Sequence, residues 1–170
     1  MSGPFGAGGL NFFSGEREFY PFTLDQSVRL SEGQNAFFSR TFPSAGNRKT
    51  WTYSVWVKRG KLGIQGQLFH SYDGSSNRRG MIRFDTDDTI RWHQGGSGSS
   101  GLINTQAVFR DVSSWYHFLF VADYSNSTAS DRAKIYVNGT LQAVTTTDAF
   151  LNADGQINAA QAHEIGAITN

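Results

Sequence analysis

The stretch from Trp115 to Val144 constrains the fold of this chain more than any other, because it predicts a strand, a polar loop and a β-hairpin in that order. Residues 133–137 alternate apolar and polar side chains, as in a strand with one wetter face. Asn138-Gly139 supplies the two positive-φ residues of a type I′ turn, and Thr140 to Val144 is predicted to return as the partner strand. Just before this hairpin, the apolar run from Trp115 to Ala122 is typical of a strand covered on both faces.

Short strand patterns separated by turns continue along the rest of the chain. Long amphipathic helical patterns are scarce in these 170 residues, which favours a single all-β domain. The glycine-rich residues 95–101 are predicted to form a mobile loop inside that domain. The remaining predicted strands are Ser27–Ser31, Ala36–Arg40, Thr50–Lys58, Gly66–Tyr72, Gly80–Asp85, Thr89–His93, Leu102–Val108 and His163–Ala167.

Charge and composition exclude several classes of function. The formal net charge of +1 implies no strong attraction to nucleic acid or to an anionic membrane. The chain has no cysteine, so it has neither a disulfide framework nor thiol chemistry. The N-terminus lacks the basic start and apolar core of a signal peptide, and no apolar run is long enough to predict membrane insertion.

Residues 1–24 differ from the rest, because they are rich in both glycine and aromatic side chains. Glycine raises the entropic cost of ordering such a segment, so a disordered tail is one interpretation. The other is an extended arm that becomes ordered against a neighbour, which the aromatics favour because disordered tails are usually poor in them. The predicted assembly anchors of this arm are Phe5, Phe12, Phe13, Phe19, Tyr20 and Phe22.

Several short motifs resemble one family in their order and spacing. Trp115-x-His117, an apolar strand ending in Asp123 and residues 135–139 (IYVNG) are similar to the laminin G-like branch of the concanavalin A-like lectin/glucanase superfamily. A second group resembles laminin G-like domains of phage virion proteins, often tail or fibre proteins. Its motifs are DQSVRL at 25–30, SRT at 39–41, AGNRKTWT at 45–52, VWVKRG at 55–60 and VFRDV at 108–112.

The resemblance implies an antiparallel two-sheet jelly roll over residues 25–170. In the family, the strand at Glu164-Ile165-Gly166 is followed by a closing segment that returns beside the first strands, whereas this sequence stops at Asn170. We therefore expect the jelly roll to lack its closing segment, either because the sequence is a fragment or because another chain supplies the strand. An open edge would invite association.

Catalysis is not expected. The superfamily includes glycoside hydrolases, which place two carboxylates about 5 to 9.5 Å apart across the scissile bond. The Glu-x-Asp-x-x-Glu pattern of its laminarinase-like members is absent, and Glu16 and Glu18 fall in the predicted arm. Asp85, Asp87 and Asp88 surround a predicted turn, where aspartate is expected for local hydrogen bonding.

Glycan recognition and calcium binding are the two site hypotheses. Trp92, His93 and Gln94 with the following glycines could form a rim for sugars, and Tyr72 and Tyr124 are similar candidates, although large aromatics in strands usually pack in the core. Arg78 and Arg79 could pair with acidic glycans or belong to a solvated turn. The resemblance also implies calcium as the one cofactor to consider, held by loop oxygens that are equally ordinary turn formers: Asp73, Asp123, Asn126 and Asp131.

The resemblance leads to one functional expectation and two alternatives. We expect a non-enzymatic structural protein of a phage virion, assembled in the bacterial host cytoplasm as a tail-fibre or appendage component and anchored by its arm. Its partners would be other tail or capsid proteins, and it would form a homo-oligomer, with a trimer as the first guess. The alternatives are a carbohydrate-binding adhesin for host surface glycans and a capsid decoration protein.

Overall fold

The computed structural model describes residues 25–31, 36–74, 79–96, 99–147 and 150–167. Within these ranges the regular secondary structure is β, apart from one short 3₁₀ turn at Ala129–Asp131. The strands are β1 (Phe38–Thr41), β2 (Thr50–Lys58), β3 (Gly66–Tyr72), β4 (Arg79–Phe84), β5 (Ile90–Gly96), β6 (Ser99–Thr105), β7 (Trp115–Asp123), β8 (Ala133–Val137), β9 (Thr140–Leu141), β10 (Val144–Thr147) and β11 (Ala162–Ile165).

The described strands form two antiparallel sheets. The large sheet has the order β1-β11-β3-β4-β5-β6-β10, and the small sheet has the order β2-β7-β8-β9. Side chains at alternate positions of each strand point between the sheets, as the pleat requires. The predicted all-β, two-sheet jelly roll is confirmed.

The core between the sheets is mainly aromatic. Trp92 of the large sheet has its ring centroid 5.1 Å from that of Trp51 and 5.9 Å from that of Phe120, both on the small sheet. Such contacts across the gap join the sheets, and each fully buried large apolar side chain contributes about 1.5–3 kcal/mol. Other buried core residues are Leu68, Ile82, Phe84, Ile90, Ile103, Phe109, Phe118, Tyr124, Ile135, Phe150 and Ile157.

The Asn138-Gly139 turn forms as predicted, with φ of 49° at Asn138 and 81° at Gly139. The return strand is shorter than predicted, because only Thr140–Leu141 pairs with β8. The chain then crosses to the large sheet, where Val144–Thr147 pairs with β6. The preceding strand β7 is covered on one face only, and 46% of Trp115 is exposed on the other.

The prediction of a mobile loop at residues 95–101 is wrong for most of that stretch. Gly95 pairs with Ser100 and Gly96 with Ser99, so β5 and β6 continue through it. Glycine is required there by packing, because a Cβ at Gly101 would lie 2.5 Å from the ring of Phe150. Close approach of another group is a recognised reason for glycine inside a strand.

Two other sequence expectations concern the first part of the chain. Residues 27–31 were expected to form a strand but have no regular structure, and Val28 is exposed. The predicted arm of residues 1–24 and its aromatic anchors lie outside the described residues, so the arm stays a prediction. Among the described residues, no helix has the length and apolar character needed to span a membrane.

Candidate functional site

The outer face of the large sheet carries a group of charged and aromatic side chains. On β4, Ile82 and Phe84 are buried in the core, so the alternate residues point to the opposite side of the sheet. The same alternation applies to the neighbouring strands. We call the outward-pointing set the outer-face cluster, and its members are His70, Tyr72, Arg79, Met81, Arg83, Asp85, Arg91, His93 and Glu164.

Strand register brings the members of this cluster together in rows. His70 lies opposite Met81, and Met81 lies opposite His93 on the next strand. Arg83 lies opposite Arg91 in the neighbouring row. Directly opposite residues in antiparallel strands have Cβ atoms about 4.5–5.5 Å apart, so these side chains are in contact range.

Three guanidinium groups concentrate positive charge on this face. Asp85 forms ion pairs with two of them: its carboxylate oxygens lie 2.8 Å from Arg91 Nε and 3.4 Å from Arg83 Nη2. Burial lowers the pKa of the Arg83 guanidinium, and the nearby charges of Arg91 and Arg79 lower it further against the attraction of Asp85. The cluster therefore holds like charges close together around one shared carboxylate.

The two histidines of the cluster favour the neutral form. His70 and Glu164 are both buried, with 3.8 Å between His70 Nδ1 and Glu164 Oε2. Burial lowers the pKa of His70, an effect that Glu164 opposes and Arg79 strengthens. Burial also lowers the pKa of His93, and the charge of Arg79 again adds to the decrease, whereas a hydrogen bond with the Arg79 backbone opposes it. The ring of Tyr72 stacks on His70, with 5.9 Å between centroids.

Several buried polar atoms of this face have no hydrogen-bond partner among the described residues. They are Nε of Arg79, Nε of Arg83, Nε2 of His70 and Oε1 of Gln67, which lies opposite Arg83. An unsatisfied buried polar group costs roughly 1–3 kcal/mol. The two arginines are half-buried as residues, so a ligand would contact the exposed part of each side chain rather than these enclosed atoms.

The predicted glycan-binding residues divide between this face and the core. Tyr72 and His93 are half-buried members of the outer-face cluster, and their role in binding stays a prediction. Trp92 and Tyr124 are fully buried, and Gln94 is only 2% exposed. The expectation that these three side chains are exposed for sugar binding is therefore wrong, because no sugar can reach them.

Strand alternation explains both the wrong residues and the missed ones. Trp92 and Gln94 lie two and four residues after the buried Ile90 and so point inward, whereas Arg91 and His93 point outward. The available signal was even spacing, because residues two or four apart in a strand share a face: Arg91 and His93 are two apart on β5, and Arg79 and Arg83 are four apart on β4. Residues that the sequence reasoning missed or set aside are Arg79, Arg83, Arg91, His70, Glu164 and Asp85.

The oxygen atoms predicted to hold calcium are used in local contacts. Asp123 accepts hydrogen bonds from a nearby serine hydroxyl and from Asn126 Nδ2, at 2.7 and 3.3 Å. Asp131 pairs with Lys134 at 2.9 Å, and Asp73 follows β3 in the other sheet. Among the described residues, no three His, Asp or Glu side chains are grouped to hold a metal. Calcium binding by these residues therefore stays a prediction.

Comparisons with known proteins concern the fold and the family. The chain is similar to a native heptameric SAP-like pentraxin from Limulus polyphemus, with 18% identity and a TM-score of 0.47. The similarity covers 78% of this chain and 64% of the pentraxin chain, so this chain spans less than two thirds of that protein. No curated protein matches in sequence.

The family comparison covers nearly the whole chain. The laminin G-type family model of the concanavalin A-like lectin/glucanases superfamily matches residues 12–166. The match includes both sheets and begins inside the segment that we expect to be an arm. The chain therefore belongs to the laminin G-type family of the concanavalin A-like lectin/glucanases superfamily.

Proposed function

We propose that this chain is a non-enzymatic binding module whose outer-face cluster binds an acidic saccharide, one that carries carboxylate or sulfate groups. The observation that supports this most is the grouping of the half-buried side chains of Arg79, Arg83 and Arg91 on one face of the sheet, where Arg83 lies opposite Arg91. Guanidinium groups bind such anions through paired, charge-assisted hydrogen bonds. Tyr72 supplies an aromatic ring beside them for the apolar face of a sugar.

The positions of the carboxylates support binding rather than hydrolysis. Glu164 lies in the row of His70 and Met81, whereas Asp85 lies four residues farther along the strand direction. Four residues correspond to about 13 Å, beyond the roughly 9.5 Å that glycoside hydrolases use. Asp85 is in addition ion-paired to two guanidinium groups.

The setting that we propose for this module is a phage particle. The support is the resemblance of motifs such as residues 39–41 and 45–52 to phage virion proteins. In that setting the protein would be a tail-fibre or appendage component, or a capsid decoration protein, anchored by residues 1–24. Repetition on the particle would strengthen weak individual contacts with host surface glycans. Detection of the chain by mass spectrometry in purified virions would test this setting.

A saccharide panel in solution tests the proposed activity. Oligogalacturonate supplies carboxylates, a heparin fragment supplies sulfates, and a neutral glucan of similar length is the control. We expect calorimetric titration to detect binding of one or both acidic oligomers, weakened by added salt, and no binding of the neutral glucan. Equal binding of the neutral glucan would contradict the proposal. Release of reducing ends from any oligomer would contradict the non-enzymatic assignment.

A further inference from the structure

Strand β2 ends the small sheet with an unusually long edge. It has nine residues, Thr50–Lys58, and pairs only with β7 among the described strands. The other terminal strands of the two sheets are β1 and β10 with four residues each, and β9 with two. Proteins usually keep edge strands short, because an edge presents unpaired backbone groups to other chains. β2 departs from that pattern.

β2 also lacks the features that commonly protect an edge. Its register with β7 runs without a bulge from Thr50–Asp123 to Lys58–Trp115, and it contains no proline. Its only charged side chain is Lys58, at the last position. The remaining residues are aromatic, β-branched or small, which are favourable for strand pairing. This edge is therefore suited to accept another strand.

The core is incompletely covered along the same edge. Tyr53, Val55 and Val57 point toward the large sheet and contact the core, yet each is only half-buried. A strand added beside β2 would place its own inward side chains next to them. Such a strand needs apolar residues at alternate positions over about nine residues, with small or polar residues between.

We propose that β2 pairs antiparallel with β2 of a second copy of this chain, about a two-fold axis at Ser54. Full overlap of the two strands places Ser54 opposite Ser54, Thr52 opposite Trp56 and Thr50 opposite Lys58. On the inner side, Tyr53 lies opposite Val55. Apolar positions therefore meet apolar positions inside, and the half-buried side chains at each edge cover one another.

Charge complementarity supports a second copy as the partner. Thr50 is the register partner of Asp123 on β7. Lys58 of the second copy, opposite Thr50, is therefore separated from Asp123 by two strand spacings, about 10 Å, and the two-fold axis repeats this weak attraction at the other end. No like charges lie opposite each other in this register. The result is one continuous eight-stranded sheet, built from the small sheets of two copies.

Single cysteines test the register, because the natural sequence contains none. In the full chain, Ser54→Cys places two cysteines directly opposite at the two-fold axis, close enough for a disulfide. In the control, Thr52→Cys, the two sulfurs lie about 13 Å apart along the strand. We expect mild oxidation to convert most of the Ser54→Cys protein to a covalent dimer and to leave Thr52→Cys monomeric on a non-reducing gel. Circular dichroism melts establish that both variants are folded.

Sedimentation equilibrium of the unmodified chain completes the test, and we expect a reversible monomer–dimer equilibrium. A protein that stays monomeric up to millimolar concentration would overturn the proposal. So would a dimer that Thr52→Cys captures as readily as Ser54→Cys, because another register or surface would then form it. Concentration-independent protection of the β2 amides from hydrogen exchange in a monomer would also overturn it, since another segment of the same chain would then cover the edge.

Discussion

The guanidinium of Arg59 donates a 2.9 Å hydrogen bond to the carboxylate of Asp88 in a pair whose side chains are 2% and 8% exposed. Arg59 also donates to the carbonyl of Phe109 and lies over the ring of Phe84, 4.3 Å from its centroid. Asp88 has a φ of 67° and accepts a further bond from the amide of Gly63. One buried ion pair thus fixes the segment after β2 against the turn between β4 and β5.

We expect Arg59→Met to be strongly destabilising. Removing Arg59 leaves the buried Asp88 carboxylate with the exposed Arg110 as its remaining cationic partner, and breaking a buried pair in this way costs about 3–5 kcal/mol. The matched control is Arg110→Met, because Arg110 binds the other oxygen of Asp88 but is 62% exposed. Its loss should cost at most about 1 kcal/mol. Urea unfolding of both variants checks this, and equal destabilisation would contradict the assignment.

We expect Gly101→Ala to destabilise the large sheet. The added Cβ would lie 2.5 Å from ring atoms of Phe150, so the ring or the strand must move. Overpacking of this kind costs about 1–3 kcal/mol. Gly60→Ala is the control, because a Cβ at Gly60 meets no heavy atom within 4 Å. Thermal melting should separate the two variants, and an unchanged Gly101→Ala melting temperature would count against the described packing.

The loop before β7 should contribute a pH-dependent stability. The hydroxyls of Ser113 and Ser114 donate to Asp111 and hold its pKa at about 2. A lowered carboxylate pKa stabilises the fold above the unfolded value of about 4, and this contribution is lost as the pH falls toward 2. Asp111→Asn should therefore be less stable than the unmodified chain near neutral pH, with a difference that shrinks between pH of about 4 and 2. Chemical unfolding across that range measures it, and a constant difference would contradict the pKa shift.

Local sequence signals predicted the elements that depend on local chemistry. The Asn138-Gly139 turn formed because both residues tolerate positive φ, and the strand Gly66–Tyr72 has the predicted bounds. Residues 95–101 were mispredicted, because their glycine content resembles that of a flexible linker. The side chain that explains Gly101 is Phe150, which is remote in sequence and could not be anticipated from local composition.

The candidate site was predicted only in part, for a related reason. Period-two alternation assigns neighbouring residues to opposite faces, but it does not say which face is the core. Trp92 and His93 were treated as one rim, although one points inward and the other outward. The pairing of Arg83 with Arg91 follows from strand register, and register depends on contacts that a local pattern does not contain.

The outer-face cluster is proposed to bind acidic saccharides. The most direct test compares two arginine variants for binding of the acidic oligomer that the saccharide panel identifies. Arg79→Gln removes a guanidinium from the cluster, whereas Arg40→Gln removes an exposed one from β1 on the opposite face of the same sheet. Loss of charge-assisted hydrogen bonds should weaken binding by Arg79→Gln about tenfold or more. Arg40→Gln should bind like the unmodified chain. Unchanged affinity in Arg79→Gln, or an equal loss in both variants, would contradict the account.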